Sequence, residues 1–186
     1  MTKTIQDELE RLQPAELDAG TVFSGKPSGR IVRGYARPCT YTPASDPGYI
    51  FHETSRDIVV WLMNISDPLY VFGPTGSGKT SAIKQLASRL NYPVFEVTGH
   101  SRLEFPDMVG HLSVRNGSME FEYGPLALAM RFGGIFLLNE IDLIEPSSAT
   151  GLIKPSKLAE FRRMVNNATG AMNMTPPIVG VPILLM

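Results

Sequence analysis

The sequence predicts an α/β fold, a parallel sheet with helices on both faces, and three observations carry that prediction. A short apolar strand, Leu69-Tyr70-Val71-Phe72, runs into a Gly-rich loop and then into a helix with Ile83, Leu86, Ala87 and Leu90 on one face. A second strand, Pro93 to Thr98, comes next, and strand, loop, helix, strand is the βαβ unit of a parallel sheet. Ile135 to Leu138 is apolar at every position, as strands covered on both faces are.

In chain order, Ile5, Leu9 and Leu12 fall at helical spacing in residues 4–13, and Pro14 ends or kinks that helix. Residues 20–48 are rich in Gly, Pro, Ser and Thr and read as loop or linker. Lys26, Arg30, Arg33 and Arg37 lie in it; a solvated linker is favoured over a basic groove for an anion. Ser55 can cap a helix through Ile58, Val59, Leu62 and Met63, and Asp67-Pro68 breaks it. Trp61 falls on the apolar face of that helix and reads as core. Further on, Leu112-Ser113-Val114 and Met119 to Glu122 flank Arg115-Asn116-Gly117-Ser118, a hairpin signal. Gly124-Pro125 opens a helix from Leu126 to Phe132, which Gly133-Gly134 ends.

The composition is that of a globular domain, with 43% hydrophobic and 19% charged residues among 186. A formal net charge of −1 gives no reason to expect nucleic acid as a partner. No apolar run reaches the ~20 residues of a membrane helix, and the N-terminus has no signal-peptide pattern. The single cysteine, Cys39, forms no internal disulfide and suits a cytoplasmic location. His52, His100 and His111 lack metal-ligand spacing. His100 follows a strand end, where a loop residue can face a phosphate or a partner.

Gly73-Pro74-Thr75-Gly76-Ser77-Gly78-Lys79-Thr80 matches G-x-x-x-x-G-K-[ST] at every fixed position. Glycines let backbone N–H groups approach phosphate oxygens. The helix that follows adds unpaired N–H groups and its positive dipole end. Lys79 supplies charge for the β and γ phosphates, and the Thr80 hydroxyl is a ligand for Mg²⁺. The motif predicts an ATP site of the Walker type. The apolar strand 135–138 ends on Asn139-Glu140-Ile141-Asp142. Glu140 stands where a base would orient the attacking water, and Asn139 stands where an acid usually holds the metal's water shell. An amide brings no charge, so Mg²⁺ affinity should suffer unless Asp142 or Glu145 compensates. Asn139→Asp is accordingly expected to strengthen the Mg²⁺ dependence of ATP binding.

On these motifs the chain resembles the AAA+ ATPases, and within them the MoxR-like and cobaltochelatase small-subunit (CobS-like) branch. Asp107 to Leu112, the Asn116-Gly117 hairpin and Gly124-Pro125-Leu126 look like that family's hairpin insertion in its second core helix. The resemblance covers residues 49–152 and implies a P-loop NTPase core with a β-hairpin insertion. It also implies ATP hydrolysis with Mg²⁺, a homo-oligomeric ring, and remodelling of a protein partner whose identity the sequence does not give. By the same similarity, Tyr49 to Phe51 would lie near the adenine.

Three units result: 1–48, an N-terminal helix and linker; 49–152, a partial ATPase core; and 153–186, an atypical tail open to disorder. After Gly151-Leu152 the family pattern of a sensor strand, an arginine finger and a lid is not found. No sensor strand precedes Asn166 or Asn173, Arg162 and Arg163 suit a solvated helix face, and Ile178 to Met186 is an apolar run broken by Pro182. The tail looks like unrelated coding, a truncation or a frameshifted end, so the fold is expected to be incomplete at the C-terminus and ATP hydrolysis very slow or absent. The alternative function is a non-hydrolysing nucleotide-binding module or a defective ATPase. A P-loop kinase is weaker still, since neither lid nor acceptor pocket can be pointed to.

Overall fold

The computed structural model describes residues 2–53, 55–63, 68–115, 117–146 and 183–185. Its centre is a four-stranded parallel sheet in the order β3 (Leu69–Tyr70), β8 (Ile183–Leu185), β7 (Ile135–Asn139), β4 (Val94–Thr98). The buried strand β7 shows why both faces need cover. Ile135 and Leu137 enter one hydrophobic cluster, while Phe136 and Leu138 enter another. Side chains of a strand alternate between faces, so a strand apolar throughout feeds two cores. On one face lie α3 (Ser55–Met63) with Ile58 and Leu62, and α4 (Lys79–Arg89) with Ile83, Leu86 and Ala87. Leu9 of α1 (Thr2–Glu10), Met108 of α5 (Phe105–Val109) and five residues of α6 (Pro125–Phe132) cover the other. Trp61 packs half-buried against the first of these clusters.

The N-terminal stretch is more ordered than its composition suggests: the linker reading of residues 20–48 is corrected over 20–24 and 31–35, while 36–48 hold no helix or strand. Pro14 opens β1 (Pro14–Asp18), which pairs antiparallel with β2 (Ile31–Tyr35), and α2 (Ala19–Ser24) lies between. Pro fits the first position of a strand in a two-stranded ribbon. The Asp18 carboxylate gathers the intervening turn, accepting from the N–H groups of Thr21 (2.7 Å), Ser28 (3.0 Å) and Gly29 (2.6 Å). These bonds, the one from Thr21 first, hold its pKa at about 2, below the ordinary 3.8. Val32 and Tyr35 are both 0% exposed, so the ribbon belongs to the core. The single proton of the Tyr35 hydroxyl is shared between the carbonyls of Gly133 (2.8 Å) and Phe132 (3.1 Å), tying the ribbon to the end of α6. Burial pushes the Tyr35 and Tyr92 phenols far above their ordinary ionisation range.

The hairpin forms as expected. β5 (Gly110–Arg115) and β6 (Ser118–Tyr123) pair antiparallel, with Arg115 opposite Ser118, so the connection is two residues long; Asn116 itself lies outside the described residues. The expectation for the tail needs one change. Residues 183–185 form β8, parallel to both neighbours, with Leu184 opposite Leu69 and Leu137. Three apolar residues after a proline carry no periodicity, which is why this strand is not legible as one. Asp67, Arg162, Arg163, Asn166 and Asn173 lie outside the described residues. Among the described residues, no helix is long and apolar enough to cross a membrane.

Candidate functional site

The phosphate-loop motif occupies the turn between β3 and α4. Gly76 and Gly78 both have φ near +80° (80° and 79°). A Cβ at either would meet nothing within 4 Å, so backbone handedness, not space, demands glycine there. Gly78 caps α4 without a side-chain hydrogen bond, and the first intrahelical bond runs from Ala82 N to Gly78 O at 2.8 Å. The N–H groups of the first turn thus have no side-chain cap, the arrangement that favours an anion. Lys79 Nζ donates to the carbonyls of Gly73 (2.8 Å) and Pro74 (3.0 Å), which holds its charge over the loop.

β7 brings the second half of the motif to the same place. A cleft of about 690 Å³ is lined by Gly73, Thr75, Gly76, Gly78, Lys79 and Thr80 on one side and by Thr98, Asn139, Glu140 and Asp142 on the other. Pro74 and Ser77 line an adjoining, more apolar cleft with Tyr49 and His52. Of the entry segment Tyr49 to Phe51, Tyr49 therefore faces this second cleft, whereas Phe51 packs edge-on against Phe23 (5.7 Å between centroids). Asp142 joins the main cleft and Glu145 is not among the residues lining it.

Glu140 has a left-handed backbone, φ 54° and ψ 49°. For a residue with a Cβ this costs of order 1–3 kcal/mol, and such positions cluster at functional sites. What holds it there is missed by a linear reading. Gly99 N donates to Asn139 O at 2.8 Å, and a Cβ on Gly99 would stand 2.3 Å from Glu140 O and 2.8 Å from the Ile144 side chain. Only glycine lets the end of β4 lie so close under Glu140. Its one sequence signal is its place directly after a strand. A second feature depends on register. Asn139 Nδ2 donates to Glu96 Oε1 of β4 at 2.8 Å, and Glu96 Oε2 pairs with Lys84 Nζ at 2.6 Å. Asn139 Oδ1 is buried, with no hydrogen-bond partner among the described residues.

Two of the three histidines stay apart from this chemistry, whereas His52 lines the adjoining cleft. His100 is exposed and its Nδ1 accepts from Arg102 N at 3.3 Å. It does not line the main cleft, and neither does His111 on β5. Among the described residues, no group of three or more His, Cys, Asp and Glu could hold a metal by itself.

Comparison with known proteins gives one matching family model, the AAA domain of the dynein-related subfamily, over residues 68–178. The denitrification regulatory protein NirQ of Stutzerimonas stutzeri is 35% identical over 111 residues, 59% of this chain and 39% of that protein. The gas vesicle ATPase GvpN of Ancylobacter aquaticus is 34% identical over 95 residues, 50% of this chain and 26% of its own. The aerobic cobaltochelatase subunit CobS of a Sinorhizobium species is 29% identical over 151 residues, 78% of this chain and 45% of its own. The chain thus spans less than half the length of each of these curated relatives. The family match runs well past Leu152, into the stretch whose sequence alone shows no family pattern.

Proposed function

Because this chain belongs to the AAA domain family, dynein-related subfamily, we propose that it binds ATP with Mg²⁺ in the cleft between the phosphate loop and the end of β7 and hydrolyses it. We further propose that it works as one subunit of a homo-oligomeric ring that remodels a protein partner. The observation that carries this reading is the meeting of Lys79, Thr80, Asn139 and Glu140, distant in sequence, in one cleft.

Each residue has a part that its chemistry permits. The first-turn N–H groups of α4 and the Lys79 ammonium bind and orient the phosphates. The donor set suits Mg²⁺, a hard cation that keeps most of its waters: Thr80 offers a hydroxyl, and the buried Oδ1 of Asn139, which has no partner among the described residues, can accept from a water of the metal's shell. Bound there, Mg²⁺ would neutralise charge on the β and γ phosphates. The Glu140 carboxylate orients a water and takes its proton as the water oxygen attacks the γ phosphorus and the bond to the β-phosphate oxygen breaks. Tyr49 lines the adjoining cleft and would contact the adenine base there. The hairpin supports a protein partner: Leu112, Val114 and Met119 are exposed, with Val114 opposite Met119, so its surface carries apolar side chains.

Steady-state phosphate release with and without Glu140→Gln tests the hydrolytic part. Turnover abolished by the substitution, with ATP binding retained, is the expected result; turnover unaffected by it would remove Glu140 from the mechanism. A second reading, a nucleotide-binding module without hydrolysis, is favoured by one observation, the amide at 139 in place of an acid. Nucleotide binding without any Glu140-dependent turnover in the assembled protein would select it.

A further inference from the structure

Beside the proposed metal and nucleotide site, on which this inference rests, lies a pair of side chains with a geometry of its own. The parallel register sets Thr98 opposite Asn139, and Glu96 sits two residues before Thr98 on the same face of β4. Asn139 Nδ2 and Glu96 Oε1 are hydrogen-bonded at 2.8 Å, and Glu96 Oε2 is held by Lys84. Lys84 follows Thr80 by one helical turn on α4, so the helix that presents Thr80 also fixes Glu96. A carboxamide has a donor end and an acceptor end. With a carboxylate on one side, the reverse orientation would set oxygen against oxygen. Glu96 therefore selects the orientation in which Oδ1 points elsewhere, and that oxygen is the buried acceptor with no donor among the described residues.

We propose that Glu96 is a positioning residue of this site: it locks the Asn139 carboxamide so that Oδ1 accepts from a water of the Mg²⁺ shell, and it makes an amide rather than an acid the side chain that fits at 139. An aspartate there would press a carboxylate oxygen against Glu96 Oε1 at hydrogen-bond distance, with Lys84 already engaged on the other oxygen. Like-charge repulsion at that separation offsets what a second acid would gain toward the metal. The expectation drawn from sequence, that Asn139→Asp alone strengthens Mg²⁺ dependence, is thereby reversed. Moving the acid to β7 requires moving the amide to β4.

The test is a Mg²⁺ titration of binding of a fluorescent ATP analogue, from excess EDTA upward. It uses the full chain, with wild type, Glu96→Ala, Glu96→Gln, Asn139→Asp and the Glu96→Gln/Asn139→Asp exchange. Metal-free affinity should be the same in all five. The Mg²⁺ half-point should rise about 10-fold or more in Glu96→Ala, the usual effect of losing an outer partner of a metal site. Asn139→Asp alone should not lower it, and the exchange should return it to the wild-type value. Thermal melts check folding, and the near-isosteric Gln and Asp variants keep the test open if Glu96→Ala does not fold. An unchanged half-point in Glu96→Ala, or a lower one in Asn139→Asp alone, overturns the proposal. Nucleotide binding that ignores Mg²⁺ in wild type overturns it too, while leaving the nucleotide site standing. Absence of any nucleotide binding overturns both.

Discussion

Lys79→Ala removes an ammonium whose place in the loop is defined: Nζ donates to Gly73 O at 2.8 Å and Pro74 O at 3.0 Å. An ammonium has three N–H donors. Two go to these carbonyls, so the third can reach a phosphate oxygen without breaking either bond. A hydrogen bond to a charged group contributes about 1.5–3 kcal/mol, and the exposure of the surrounding loop favours the lower half of that range. At about 1.4 kcal/mol per factor of ten, ATP affinity should fall roughly 10- to 40-fold. Isothermal titration with ATP at fixed Mg²⁺ measures it. The same titration with AMP adds a second criterion, since a lysine that reaches β and γ phosphates has nothing to lose on a monophosphate. Lys79 lies outside both hydrophobic clusters, so the melting temperature should hold and exclude unfolding as the cause. Equal ATP affinities, or an AMP loss as large as that for ATP, would refute the assignment of this loop to phosphate.

Gly99→Ala places a methyl group 2.3 Å from Glu140 O, a backbone atom that cannot swing away. A loss of about 1–3 kcal/mol, as for other overpacked sites, should appear as a melting temperature lower by several degrees, together with slower Glu140-dependent turnover; normal values of both would mean that the close approach is dispensable. Tyr35→Phe deletes the donor to two carbonyls and should cost about 1–2 kcal/mol, read by calorimetry as a melting point lower by roughly 2–8 °C. A shift under one degree would show that the ribbon is held by packing alone. Asp18 has a folded pKa of about 2 against an ordinary 3.8, so its contribution to stability is fully present above about pH 4 and fades as pH falls toward 2. Asp18→Asn should flatten that part of the stability curve measured by denaturant titration. Identical acid limbs for the two proteins would remove Asp18 from the account.

Much of the site was legible because it is local. The phosphate loop requires glycine at set spacings, a lysine and a hydroxyl, and no distant residue changes that logic. The strand 135–138 declared its double burial through its continuous apolar run, and Asn116-Gly117 declared a hairpin of two-residue connection. What escaped depends on atoms far apart in sequence. The ribbon of β1 and β2 is closed by one carboxylate that serves N–H groups three to eleven residues away, a bond pattern without periodicity. The five-residue strand β2, which contains Arg33 and Gly34, looks like linker until Val32 and Tyr35 are seen in the core. Strand β8 has three residues, too short for any period to show. Gly99 and Glu96 acquire their roles only through the register of β4 against β7.

That register also explains how a strained glutamate can be kept. The left-handed turn at Glu140 would relax if the end of β7 were free. It is not free: Asn139 is bonded through its side chain to Glu96 of the neighbouring strand and through its backbone oxygen to Gly99, directly after that strand. Beyond Glu140, Leu143 N closes onto Glu140 O at 3.1 Å and the buried Ile144 anchors the turn in the core. Glu140 is thus gripped on both sides by its own strand end and the short turn after it, while its side chain remains exposed at the cleft. The role proposed for Glu140, orienting a water, needs that combination, a fixed backbone and a solvent-facing carboxylate. The sheet supplies the first through β4, and the backward-bending turn supplies the second. The amide at 139 belongs to the same logic, because it can bond Glu96 and still present an acceptor, which an acid beside that carboxylate could not do without repulsion.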